Sequence, residues 1–298
     1  MEFLPFGAID IGSNAIRLLI SNAVEYSGDT KFKKVSLIRI PLRLGADVFS
    51  YKKISKSKYN RLVHAMQGYQ HIMQAYNVVN YRACATSAMR EASNGPELMA
   101  EIKKQTGIEL EIISGKEEAE IIFNTGIAKM LDNDRDYLYI DVGGGSTEVT
   151  VVSKTQKIEQ ESFNIGTVRM LNQKTDDAEV KRFKDFLRLQ ASRLKNTSLI
   201  GSGGNINKIF KLMGKKYGEV ISPIELKNMY DYLNRFTFDE RIEVLRLNPH
   251  RADVIVPAAK IFMWAFKYSN SNRIYVPKMG LSDGMVQQMY YDHKKQND

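Results

Sequence analysis

Between residues 6 and 42 apolar and polar positions alternate through FGAIDI, IRLLIS and VSLIRI, a period of two that predicts an antiparallel meander of three strands. The period then changes. From residue 56 to 76 the apolar positions Tyr59, Leu62, Val63, Met66, Tyr69 and Met73 fall on one stripe of a helix. A strand over YRACAT follows, then a short helix around SAMREA and a helix near residues 96–106. A strand over ELEIIS and a helix beginning after Ser114 complete this stretch. Strands followed by alternating helices and strands define an α/β fold.

From Tyr137 the order starts again. The run YLYIDVGGGSTEVTVV reads as a hairpin and KIEQESFNI as its third strand. Helices, a short strand SLIGSG and further helices to about residue 270 come next. A strand RIYVP and a helix SDGMVQQMYYD close the sequence, and that last helix is placed to cross back onto the first half. A chain of 298 residues exceeds what one core comfortably fills, so two domains are expected. With no linker rich in Pro, Gly or Ser, the boundary is expected within or just after a helix over residues 115–131. That gives residues 1–125 plus 281–298 as one domain and 126–280 as the other.

Composition narrows the class. At 43% hydrophobic and 26% charged residues the chain reads as globular. Its most apolar run, VIVPAAKIFMWAF, is broken by Lys260, so no membrane span is expected. Glu2 stands where a signal peptide carries positive charge, and a cytoplasmic location is expected. The single cysteine, Cys84, reads as a buried strand residue. The net charge of +9 is concentrated in two tracts. Residues 31–61 hold ten Lys/Arg against Asp47, and residues 181–216 hold ten against Asp185. Such tracts are either solvated faces or a field that gathers polyanions.

The candidate chemistry lies in a few short motifs. Two hairpins, AIDIGSNAIRLLI and YIDVGGGSTEVTV, share one plan: an apolar strand ending in Asp10 or Asp141, a small-residue turn, and a second strand. The turns Gly12, Ser13, Asn14 and Gly143, Gly144, Gly145, Ser146 suit backbone N–H groups that cradle phosphate. A β-branched run follows DVGGGS, which excludes a dinucleotide fingerprint and a Walker loop. Asp10 and Asp141 either start their turns or, beside phosphate cradles, help hold Mg²⁺, with Glu148 a third carboxylate. No His or Cys spacing suits zinc. In SGKEEAE, Ser114 and Glu117 form a capping box, which assigns Glu117 to structure. Glu118 then either stabilises the first helical turn or takes a proton from water. Arg90 is a surface arginine or a partner of phosphoryl charge. Gly203, Gly204 and Asn205, in a turn running straight into a helix, form a tight connection or a nucleotide or second phosphate site.

Taken in order, AIDIGSNAIRLLI, RACATSAMREASN, IISGKEEAEIIF, LYIDVGGGSTEV, IGSGGNINKI and GLSDGM resemble the exopolyphosphatase and guanosine pentaphosphate phosphohydrolase family. That family is a branch of the superfamily of sugar kinases, actin and the 70-kilodalton chaperones. The resemblance covers nearly the whole chain. It implies two ribonuclease-H-like domains, substrate phosphates in an interdomain cleft, Mg²⁺ dependence and a homodimer. It also implies Glu118 as catalytic base, Arg90 on phosphate, the two hairpins as phosphate loops, and Asp141 and Glu148 around the metal. Long members carry a further C-terminal helical region, whereas this sequence ends at Asp298. The expected substrates are therefore short polyphosphate chains or guanosine pentaphosphate. Ala15 stands where the family commonly has Ser. Two other readings fit the same motifs: a kinase of the superfamily, and a non-catalytic polyanion or alarmone sensor. No nucleic-acid-binding module is recognised.

Overall fold

A computed structural model describes residues 3–26, 29–125, 132 and 134–297. The chain divides into two compact units, Met1–Thr125 with Leu281–Asp298 and Gly126–Gly280.

Unit 1 begins with β1 (Phe3–Ile11), β2 (Ile16–Tyr26) and β3 (Asp29–Ile40), followed by helices α1 (Leu44–Tyr51) and α2 (Lys56–Ala75). Strand β4 (Asn80–Ala85), helices α3 (Ser87–Glu91) and α4 (Gly95–Thr106), strand β5 (Glu111–Ile112) and helix α5 (Gly115–Phe123) complete its first segment. The sheet runs β3-β2-β1-β4-β5. β1, β2 and β3 pair antiparallel, while β4 and β5 continue parallel to β1. Phe6, Ala8, Ile9 and Ile11 on central β1 are all fully buried, as a strand covered on both faces requires. The α2 stripe of Tyr59, Leu62, Val63, Met66, Tyr69 and Met73 is buried as its spacing predicts, and Ser55 caps the helix by accepting from the Lys58 N–H.

The last helix of the chain, α13 (Leu281–Asn297), belongs to this unit and packs on β1, β4 and α5. Its crossing with α5 is close. A Cβ at Gly284 would lie 2.1 Å from the Ile121 carbonyl oxygen. Arg82 on β4 ties the same region together, donating to Glu111 on β5 and, at 2.6 Å, to Gln288 on α13, with Glu117 of α5 at 3.5 Å. Cys84 is buried and gives its S–H to Glu111 at 3.2 Å. Burial holds its thiol far above the ordinary cysteine value, as befits a packed strand residue.

Unit 2 repeats the plan. β6 (Asp136–Val142), β7 (Thr147–Ser153) and β8 (Gln156–Phe163) precede α6 (Thr167–Leu171) and α7 (Asp177–Arg193). Then come β9 (Ser198–Ser202), α8 (Gly204–Leu212), β10 (Val220–Ile221) and α9 (Pro223–Asn234). α10 (Phe238–Glu243), α11 (Pro249–Ala252), α12 (Ile255–Ser269) and β11 (Ile274–Tyr275) follow. Here the sheet order is β10-β11-β9-β6-β7-β8. Leaving β10 aside, this is the order of unit 1, with an antiparallel meander extended by two parallel strands. Even the irregularity is shared: the register shifts between Ile20 and Ser21 in one meander and between Val151 and Val152 in the other. Both units have the ribonuclease-H-like topology. The core of unit 2 is centred on Leu138, Ile140, Phe163, Phe183, Phe210 and Phe262.

Several elements depart from the hydrophobic pattern. The strand expected over ELEIIS contracts to Glu111–Ile112, and the one over RIYVP to Ile274–Tyr275. Helix α1 follows the meander where none was expected. Helix α5 ends at Phe123, capped at Asn124, and residues 126–131 of the longer expected helix lie outside the described residues.

Replacing Gly284 with Ala is expected to destabilise unit 1 by about 1–3 kcal/mol, because the carbonyl it meets is backbone and cannot rotate away. Thermal denaturation should show this as a loss of several degrees, at roughly 2–4 °C per kcal/mol for a domain of this size.

Candidate active site

Each hairpin turn is closed by its first amide. The Gly12 N–H donates to the Ala15 carbonyl at 3.2 Å and the Gly143 N–H to the Ser146 carbonyl at 3.0 Å. These two amides are therefore spent within the turns, which corrects the expectation that residues 12 and 143 present N–H groups to phosphate. In unit 2 the loop carbonyls are also occupied. Gly143 O accepts from the Thr167 N–H at 3.0 Å, and Gly144 O accepts from the Val168 and Arg169 N–H groups at 2.8 and 3.1 Å. Gly145 O accepts from Arg169 Nε at 2.8 Å. The orphan N–H groups at the start of α6, with the Arg169 side chain, thus hold every glycine carbonyl of the loop. The N–H groups of Gly144 and Gly145 have no protein acceptor among the described residues, which suits them to an anion. Unit 1 is built alike, with Ser13 O accepting from the Gly45 N–H and Asn14 O from the Arg43 N–H, both at 2.9 Å at the start of α1. The Ser13 hydroxyl lies 3.1 Å from that of Ser87.

The strands beside the turns differ in one decisive respect. Asp10 faces Arg17 across β1 and β2, and Arg17 Nη1 donates to Asp10 Oδ2 at 2.8 Å. Burial pushes the Asp10 carboxyl above the ordinary aspartate range, and the Arg17 charge opposes that rise. Asp141 occupies the same place in unit 2, but the residue across the ladder is Glu148. Their carboxylate oxygens lie within 4.8 Å of each other. Glu148 is 1% exposed, and Ser162 Oγ donates to its Oε1 at 3.1 Å. Like charges directly opposite on neighbouring strands repel, so the pair asks for a cation. Two hard carboxylate oxygens beside uncommitted backbone amides are a donor set that suits Mg²⁺ together with phosphate oxygens. The expected metal therefore fits Asp141 and Glu148, whereas Asp10 is engaged by Arg17.

Glu118 lies in the first turn of α5 and is buried. Ser114 caps that helix, its Oγ accepting from the Glu117 N–H at 3.1 Å. The reciprocal half of the expected capping box is replaced by the pairing of Glu117 with Arg82. Half-buried Arg90 donates from Nη1 to the Ile113 carbonyl at 2.6 Å, next to the Ser114 cap. Its remaining N–H groups have no protein acceptor among the described residues. In unit 2, Gly203 is the N-cap of α8 with φ 108°, and Arg251 donates to Gly204 O and, at 3.3 Å, to Asn205 Oδ1. Asn205 is therefore held inward by a residue that the turn motif alone does not reveal.

The comparisons with known proteins bear directly on this arrangement. Residues 23–293 match the model of the Ppx/GppA phosphatase family. The chain belongs to this family. It is 30% identical to the bifunctional 3-dehydroquinate synthase/phosphatase of Fusobacterium nucleatum, over 90% of this chain and 44% of that protein. It is 24% identical to the guanosine-5'-triphosphate,3'-diphosphate pyrophosphatase of Vibrio cholerae, over 98% of this chain and 60% of that protein. The chain thus spans about half the length of these curated relatives. The crystal structure of an exopolyphosphatase from Cytophaga hutchinsonii shares the fold, with a TM-score of 0.82 at 24% identity over 96% of this chain and 97% of that one. Among the described residues no helix is long and apolar enough to cross a membrane.

Sequence reasoning missed the residues behind the Ppx/GppA loop in unit 2. Gly166 and buried Arg169 hold it from its carbonyl side, and a Cβ at Gly166 would come within 2.4 Å of Gly144. The available signal was a glycine at the start of a short helix after each meander, RLGADVF and NIGTVRM.

Two outcomes follow from this geometry. Gly166→Ala should displace the Gly144–Gly145 backbone and raise the apparent dissociation constant for phosphate, read by calorimetric titration, by about tenfold, the equivalent of one or two hydrogen bonds. In metal-free buffer Glu148→Gln should melt slightly above wild type, because a like-charge pair costing about 0.2–1 kcal/mol is relieved. Added Mg²⁺ should raise the melting temperature of wild type and leave that variant unmoved.

Proposed function

We propose that the chain is a Mg²⁺-dependent phosphohydrolase that removes the terminal phosphate of inorganic polyphosphate, guanosine pentaphosphate or both. The observation that carries this reading is the Asp141–Glu148 carboxylate pair beside the Gly144–Gly145 amides. Family membership supports phosphatase chemistry, and the relatives named as a guanosine pyrophosphatase and an exopolyphosphatase supply the substrate class.

Asp141 and Glu148 would hold the metal, which when bound offsets charge on phosphoryl oxygens. The other work falls to the chain's own groups. The Gly144 and Gly145 N–H groups donate to non-bridging oxygens of the terminal phosphoryl group, and the remaining Arg90 donors spread its charge. Glu118 accepts a proton from a water molecule. The water oxygen forms a bond to the terminal phosphorus as the anhydride P–O bond breaks on the opposite side. The leaving oxygen keeps the electron pair and departs on the shortened polyphosphate or on guanosine tetraphosphate. Glu118 is the residue proposed as base because it is buried in a first helical turn and matches the second glutamate of the family segment.

The test is phosphate release from tripolyphosphate, long polyphosphate and guanosine pentaphosphate in parallel, with Mg²⁺. Glu118→Gln should keep the fold and lower kcat by about 10² to 10⁴-fold on whichever substrate wild type cleaves. Wild-type turnover in that variant would remove Glu118 from its role, and absence of release from all three substrates would remove the hydrolase reading itself.

A further inference from the structure

Helices α7 and α12 of unit 2 pack together and carry none of the residues assigned above to hydrolysis. Their outer faces collect cations around two aromatic rings. Lys184 Nζ lies 4.9 Å from the ring centre of Trp264 and 5.7 Å from that of Tyr268. Lys260 Nζ lies 5.4 Å from Trp264, while Arg188 Cζ and Lys267 Nζ lie 4.4 and 5.6 Å from Tyr268. Lys181 extends the row along α7. Among the described residues the carboxylate that pairs with this row is Asp185, with Lys181 and Arg188 at 2.6 Å each. Helix α12 has no acidic residue, and Lys184, Lys260 and Lys267 have no carboxylate partner among the described residues.

Positive charge gathered in excess of its counter-charge suits an anion, and its extent along two helices suits a chain of charges. The rings are what identify the chain. Single-stranded nucleic acid binds by stacking its bases on exposed aromatic faces. Here Lys184, Lys260, Lys267 and Arg188 crowd the rings, so what the surface offers is ammonium and guanidinium groups held in place by cation–π contact. That is chemistry for phosphates with no bases attached. We propose that the α7–α12 face of unit 2 binds inorganic polyphosphate along its length, as a second site apart from the one that hydrolyses its end. This rests on polyphosphate being a substrate of the chain.

Trp264 is the single tryptophan of the protein, so its emission reports on this face alone. Long polyphosphate titrated into wild type in EDTA, with excitation at 295 nm, should change the emission saturably and with strong salt dependence. The triple variant Lys184→Gln, Lys260→Gln, Lys267→Gln should bind at least about tenfold more weakly, with the slope of log K against log salt reduced by about 2, as loss of three single-strand phosphate contacts implies. With Mg²⁺ its KM for long polyphosphate should rise while kcat and the KM for tripolyphosphate stay unchanged. No emission change in wild type, an equal response in the triple variant, or equal affinity for a single-stranded oligonucleotide would each overturn the proposal. Failure of the hydrolase reading would show separately, as binding at Trp264 without phosphate release from polyphosphate.

Discussion

Two carboxylates placed opposite each other on adjacent strands, with the surrounding strand buried on both faces, set the terms for the rest of unit 2. The Asp141–Glu148 pair is unfavourable by itself, since repulsion grows as water is removed from around the charges. A fold keeps such a pair when something positive completes it. The same ladder position in unit 1 is Asp10 with Arg17, already neutral as a pair. One backbone plan has thus been used twice, once with a carboxylate facing a guanidinium and once with a carboxylate facing a carboxylate. This difference, made by a single side chain, is why the proposed metal is placed in unit 2.

The loops depend on a second device, the commitment of carbonyls. A glycine loop has as many acceptors as donors, and it attracts anions only when the acceptors face elsewhere. Here the N-terminal amides of α6 and the Arg169 side chain take the carbonyls of Gly143, Gly144 and Gly145, so the loop's polarity is set by the helix behind it. The buttress is also rigid, because Gly166 leaves no room between α6 and the loop. The start of α5 is positioned by comparable means, with Ser114 as cap, Arg90 on Ile113 and the close crossing of α13 beneath Ile121.

Much of this could be read from the residues. Alternation through the two meanders, the α2 stripe and the repeated Asp–Gly turn conveyed the architecture, because strand and helix periods are local properties of the chain. The turn amides were misjudged at Gly12 and Gly143, since which N–H closes a hairpin depends on cross-strand geometry that spacing does not encode. The partner of Glu117 was likewise beyond reach: Arg82 is distant in sequence and arrives through β4. Helix α1 was missed because its eight residues are too few to show a period. The contraction of β5 and β11 to two residues each reflects tertiary pairing, since β5 meets β4 only at Cys84 and Ala85 and β11 meets β9 only at Leu199 and Ile200.

Helix α13 has a bearing on biosynthesis. The residues of unit 2 are contiguous, whereas unit 1 is assembled from the start of the sequence and from residues that follow unit 2. During translation every residue of unit 2 is joined before α13 is made, so the sheet of unit 1 waits with the Phe6 face of β1 and the adjoining face of β4 lacking their cover. The unit encoded first is the last to close, because its final helix is joined after every residue of unit 2.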